Sequence, residues 1–120
     1  MEMKLREIAE LLHADVLVGD ERLDDIDVAQ CFSADLMSDV LSRSHSSGIL
    51  LTGLTNPQAI RTADIADIKA VCLVRGKTPD QETINLAKQK DIPFFVTDMT
   101  MFEASGILYG RGLKGVGERP

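Results

Sequence analysis

Three short apolar runs dominate the second half of the chain: GILLTG at Gly48–Gly53, AVCLVRG at Ala70–Gly76 and IPFFVTD at Ile92–Asp98. They are rich in β-branched and aromatic residues and apolar on successive positions instead of alternating. Each is followed by a turn signal and a helix-like segment. Near-continuous apolar strands alternating with helices are the pattern of a parallel sheet covered on both faces. Two of the helix starts are alike. Asn56-Pro57 and Thr78-Pro79 each place a capping side chain before a proline at the first helical position, where the missing N–H is unpaired in any case. Thr78 with Gln81 also fits a capping box. A third helix is expected from about Met99 to Tyr109.

The first half is less regular. Leu5, Ile8, Leu11 and Leu12 recur at helical spacing, with Arg6, Glu7 and Glu10 between them, so a short amphipathic helix is expected. Two β runs follow, Val16–Val18 and Ile26–Ala29. The acidic stretch of Asp20, Glu21, Asp24, Asp25 and Asp27 has neither the glycine nor the spacing of a calcium loop and reads as a solvated hairpin. Ser33 is placed to cap a helix with Leu36, Met37, Val40 and Leu41 on its apolar face. SRSHSSG is a polar loop. Ile60, Ala63, Asp67 and Ile68 recur as Ile84, Ala87, Asp91 and Ile92 at a constant offset of 24, whereas Pro57 recurs as Pro79 at 22. That match is compatible with duplication of one βα unit. The expected architecture is α/β: a single three-layer domain over residues 1–110, with a mostly parallel sheet and helices on both faces. Residues 111–120 read as a flexible glycine-rich tail.

Composition narrows the function. The chain has 120 residues, 44% hydrophobic and 27% charged, and a net charge of -6. That length supports one core. An acidic chain without clustered bases is repelled by nucleic acid and by anionic membrane, and the scarcity of aromatics argues against base stacking. No apolar run approaches a membrane span, and the N-terminus does not read as a signal peptide. Cys31 and Cys72 sit in apolar contexts with no metal-like spacing, as small buried hydrophobes in a reducing cytoplasm would.

In open parallel sheets, ligands bind beyond the carboxyl ends of the strands. Three loops meet that edge: Thr52, Gly53, Thr55 and Asn56; Arg75, Gly76, Lys77 and Thr78; and Thr97, Asp98 and Thr100. Backbone N–H groups at two helix starts, with one arginine and one lysine, suit an anion. The competing account is that Asn56 and Thr78 only cap helices and the bases are solvated. Gly76-Lys77-Thr78 is not a phosphate-binding loop of the NTPase kind, because Val71 stands where that motif needs glycine. His13, at a helix end, and His45, in the serine loop, have nothing that orients them for catalysis. Met99, Met101 and Phe102 fit either core packing or an adaptable partner surface.

LLTGLTNPQAIRTADIADI, VRGKTPDQETINLAKQKDIPFFVT and MFEASGILYGRGL resemble the DRTGG domain family, as does the opening MKLREIAELLHADVLVGDE. The N-terminal module of HPr kinase is distantly similar. By spacing, the family's Asp-Arg pair falls near Asn56-Pro57 and its Thr-Gly-Gly near Val74-Arg75-Gly76, with neither motif intact. Asn56 keeps a capping oxygen, Gly76 keeps the turn, and Arg75 or Lys77 offers the missing charge. The resemblance implies a non-catalytic regulatory module, found elsewhere fused to phosphotransacetylases and to CBS-domain proteins. The expected function is a regulatory or sensor domain binding a nucleotide or phosphorylated metabolite, with no cofactor, no metal and no catalytic residue. An adaptor that binds another protein is the alternative. A homodimer is expected, its contact on the helix spanning Met99–Leu108.

Overall fold

The computed structural model describes residues 2–42 and 48–116. His45, most of the polar serine loop and tail residues 117–120 lie outside the described residues. Strand β1 (Met3–Lys4) and helix α1 (Leu5–Leu11) open the chain, followed by β2 (Asp15–Val18), β3 (Asp27–Val28) and β4 (Gln30–Ser33). Then come α2 (Met37–Leu41), β5 (Gly48–Thr52), α3 (Gln58–Ile65), β6 (Ala70–Leu73), α4 (Gln81–Lys90), β7 (Phe94–Val96), α5 (Met101–Gly110) and β8 (Lys114–Gly115).

The main sheet has the order β2-β7-β6-β5-β4-β8. Its strands are parallel except β2, which runs antiparallel to β7 at one edge. β5 and β6 are buried along their whole length, which is why their sequences do not alternate. Ile49 and Leu51 face one core, with Leu5 and Ile8 from α1, Leu12 just after it, and Ala104 and Leu108 from α5. Leu50 faces the other, with Met37 and Val40 from α2, Ile60 and Ala63 from α3 and Ala87 from α4. The result is the expected three layers in one domain. Handedness accounts for the sorting. Right-handed crossovers stepping in one direction from β4 to β7 put α2, α3 and α4 on one face. The long step back from β7 to β8 puts α5 on the opposite face.

Four segments close in the same way. His13, Asp67, Asp91 and Gly112 take positive φ. The next residue's N–H then reaches back five positions: Ala14 to the carbonyl of Ala9 at 2.9 Å, Ile68 to Ala63 at 2.8 Å, Ile92 to Ala87 at 2.9 Å and Leu113 to Leu108 at 3.1 Å. This closure satisfies carbonyls that a helix end would leave unpaired and returns an apolar residue to the core. The internal similarity seen at offset 24 therefore extends to the backbone of Asp67 and Asp91.

Several expectations are revised. The acidic stretch is not a hairpin, because β2 pairs with β7 and β3 pairs with β1. It is instead tied down by Arg6, which reaches Asp20 at 3.0 Å and Asp24 at 3.2 Å. Ser33 does not cap α2. It lies on β4, whose polar-flanked sequence hid a strand, and its hydroxyl shares a 2.6 Å hydrogen bond with Ser105 of α5. Residues 113–115, placed in the tail by their glycine-rich neighbourhood, bring Leu113 into the core and Lys114–Gly115 beside β4. Met99 and Met101 pack against the α1/α5 core, whereas Phe102 is 87% exposed.

Among the described residues no helix is long and apolar enough to cross a membrane. Both cysteines are free, on the same face of the sheet. Burial raises the Cys31 thiol to about 11 and the Cys72 thiol to about 12. The neutral thiol is thus the form the fold holds. Its contribution is complete below the ordinary thiol range and is lost as pH rises through these raised values. Two outcomes are expected: slow reaction of Cys72 with a thiol reagent at pH 8 until the chain unfolds, and falling stability above pH 9 in wild type that is weaker in a Cys72→Ala variant.

Candidate functional site

The sheet changes direction between two neighbouring strands. The chain leaves β6 toward α4 on one face and leaves β7 toward α5 on the other. At such a switch point the two connections diverge and open a crevice at the carboxyl edge of the sheet. The loop after β6 is a tight turn in which Arg75 and Gly76 both take positive φ, 63° and 64°. Arg75 N–H donates to Met99 O at 2.7 Å and Gly76 N–H to Thr97 O at 2.9 Å, so the loop is stitched to the one after β7. Gly76 suits this turn through its backbone. Its φ favours glycine, while a Cβ there would displace only the exposed carboxylate of Asp98, at 2.9 Å.

The structure divides the ten sequence-predicted site residues into three groups. The first lies on the β5 side. Gly53 N–H donates to Asp35 Oδ1 at 2.7 Å, the Thr52 hydroxyl reaches the same oxygen at 3.4 Å, and Arg75 Nη2 lies 3.8 Å from Asp35 Oδ2. A Cβ on Gly53 would meet the guanidinium of Arg75, the half-exposed end of a flexible side chain that would have to turn aside. The second group lines a cleft of about 340 Å³ on the β7 side. Gly76, Lys77, Thr78 and Asp98 meet His13 and Asp15 there, over a floor that includes Leu17, Ile84 and Val96. The Arg75–Gly76 turn separates the two groups.

The third group is occupied inside the fold. Thr97 is buried, and its hydroxyl donates to Leu12 O at 2.6 Å while accepting Met99 N–H at 3.2 Å. The Thr55 carbonyl accepts the Thr83 hydroxyl at 2.8 Å and Asp80 N–H at 3.3 Å. Asn56 Oδ1 accepts Gln58 N–H at 3.0 Å, and Pro57 already has helical φ and ψ, so the pair opens α3 as its sequence implies. Asn56→Ala is expected to lower folding stability by about 1 kcal/mol in chemical denaturation, with or without ligand. Thr78 does not cap α4. The helix starts at Gln81 after an extended Asp80, and Gln81 instead bonds Asn85. The contacts from Asp80 and Thr83 to Thr55 hold the start two residues later than the proline suggests.

Two features were missed in the sequence. The capping box belongs to α5, where Thr100 and Glu103 exchange hydrogen bonds and hold the Glu103 carboxyl below its usual range. The spacing of Thr100 and Glu103 carried that signal. Asp35 is the second, and its role depends on a partner eighteen residues away. Among the described residues, no group of three or more His, Cys, Asp or Glu is placed to hold a metal ion.

No family model matches the chain, and no curated protein matches it. A solved structure does. It contains the CBS and DRTGG domains of the regulatory region of Clostridium perfringens pyrophosphatase, complexed with the activator diadenosine tetraphosphate. The TM-score is 0.69 at 22% identity, over 88% of this chain and 45% of that chain. This chain thus spans less than half the length of the solved one. At that identity the likeness is one of fold, and it agrees with the α/β architecture described above.

Proposed function

We propose that this chain is a non-catalytic regulatory domain that binds a small anionic ligand, a nucleotide or a phosphorylated metabolite, at the turn between β6 and α4. One observation carries the reading: Gly53 N–H and the Arg75 guanidinium converge on a single carboxylate, so this edge of the sheet is already built to complement an anion. The adjoining cleft has an apolar floor, with Lys77 and Thr78 among its lining residues, which suits the non-phosphate part of such a ligand. The regulatory role is supported by the fold shared with a nucleotide-bound regulatory region. A thermal-shift screen of nucleotides and phosphorylated metabolites tests it. A ligand at one hundred times its dissociation constant is expected to add about 2.7 kcal/mol of stability. Silence across the panel would sink the proposal.

A second reading rests on α5. Phe102 and Tyr109 are 87% and 64% exposed, and Gly106 and Gly110 sit on the same helix where a Cβ would meet nothing within 4 Å. Glycine weakens a helix interior by about 1 kcal/mol relative to alanine, and among the described residues nothing crowds Gly106, in the middle of α5, or Gly110, at its end. This face fits contact with a second copy or another protein. A monomer mass in light scattering at micromolar concentration would count against the homodimer.

A further inference from the structure

We propose that Asp35 is a built-in competitor for the ligand: its carboxylate occupies the anion seat and must swing out before a phosphate can reach Gly53 and Arg75. The inference rests on the proposed anion site and adds a residue that regulates access to it. An ionised carboxylate accepts hydrogen bonds and donates none, as a phosphate oxygen does. Asp35 Oδ1 takes the Gly53 N–H at 2.7 Å and lies 3.4 Å from the Thr52 hydroxyl, while Oδ2 faces Arg75 at 3.8 Å. An anion on the same donors would stand within a few ångströms of that negative charge, where like charges repel. One of the two must leave.

The local structure lets Asp35 leave. Its side chain is 55% exposed, and that of Arg75 is 49% exposed. The chain on either side is held: Ala34 N–H donates to Leu51 O at 3.0 Å, and Met37 is buried in the core. Between these anchors only Asp35 and Leu36 intervene, and both are exposed. Leu36 is the extended residue immediately before α2. Displacement of Asp35 therefore either stays within two residues or is passed to α2, so the occupancy of the seat is written into the β4–α2 connection.

Titration of inorganic pyrophosphate into the full chain, read by calorimetry and by the Gly53 amide signal, tests this. Asp35→Ala empties the seat and is expected to bind at least tenfold more tightly than wild type. Asp35→Asn keeps an acceptor over Gly53 without the charge and is expected to fall between the two. Adding Arg75→Ala to Asp35→Ala should remove the gain. Asp39→Asn removes the same charge four residues on, in α2, and should change affinity less than threefold, separating occupancy of the seat from net charge. If Asp35→Ala fails to fold, a tighter Asp35→Asn still bears the proposal out. Pyrophosphate binding by wild type with no gain in either Asp35 variant overturns the competitor and leaves the anion site standing. Absence of binding in every chain overturns both.

Discussion

Replacing Thr97 with valine is expected to destabilise the domain by about 2–4 kcal/mol. The two side chains have nearly the same shape, so no cavity is created. What is lost is one hydroxyl that serves a buried carbonyl and a part-buried N–H. It donates to the carbonyl of Leu12 at 2.6 Å, just past the last residue of α1, and accepts the Met99 N–H at 3.2 Å, just before α5. An unsatisfied buried donor or acceptor costs about 1–3 kcal/mol; the Leu12 carbonyl bears that in full and the part-buried Met99 N–H a share of it. Chemical denaturation measures the loss, and a change below about 0.5 kcal/mol would mean that water reaches both groups. Thr97→Ser, which keeps the hydroxyl, is expected to recover most of the difference. The residue thus belongs to the packing of α1 and α5 against the sheet, although its position at the end of a strand gives it the profile of a ligand contact.

Arg75→Ala should do the reverse, sparing the fold and weakening binding. The Arg75–Asp35 pair is half exposed at 3.8 Å, and such pairs contribute about 0–1 kcal/mol. Alanine keeps a β-carbon, so the positive φ of this residue is no easier or harder to hold than before. Stability is therefore expected to change by less than about 1 kcal/mol. A charged hydrogen bond to the ligand is worth about 1.5–3 kcal/mol, which corresponds to a loss of affinity of roughly 10- to 150-fold. The deficit relative to wild type should shrink as salt is raised, because exposed charges are screened. Equal affinity in the two proteins would move the site away from this turn.

What could be read from the sequence follows the range of the forces involved. β5, β6 and β7 were legible because burial on both faces writes an unbroken apolar run into neighbouring residues. Asn56 was legible because a cap and its helix are adjacent in the chain. β4 was not, since Gln30 and Ser33 flank only Cys31 and Phe32, and a four-residue strand gains its identity from β5 and β8 on either side. β8 was hidden for the same reason. In the candidate site, Gly53, Arg75 and Lys77 were named from loop chemistry, while Asp35 was invisible. Nothing near Asp35 in sequence marks it, and the contact exists only once β4 and β5 lie side by side. The start of α4 moved because Thr55, on another loop, outweighed the local signal of Thr78-Pro79.

The chain parts after β6 and β7: the first loop leads into α4 in one layer and the second into α5 in the other. The Arg75–Met99 and Gly76–Thr97 hydrogen bonds tie the two loops at the point of parting. The two layers are thus joined at this edge through two backbone contacts, and α5 on the far side is the helix that presents the rings of Phe102 and Tyr109 to the outside.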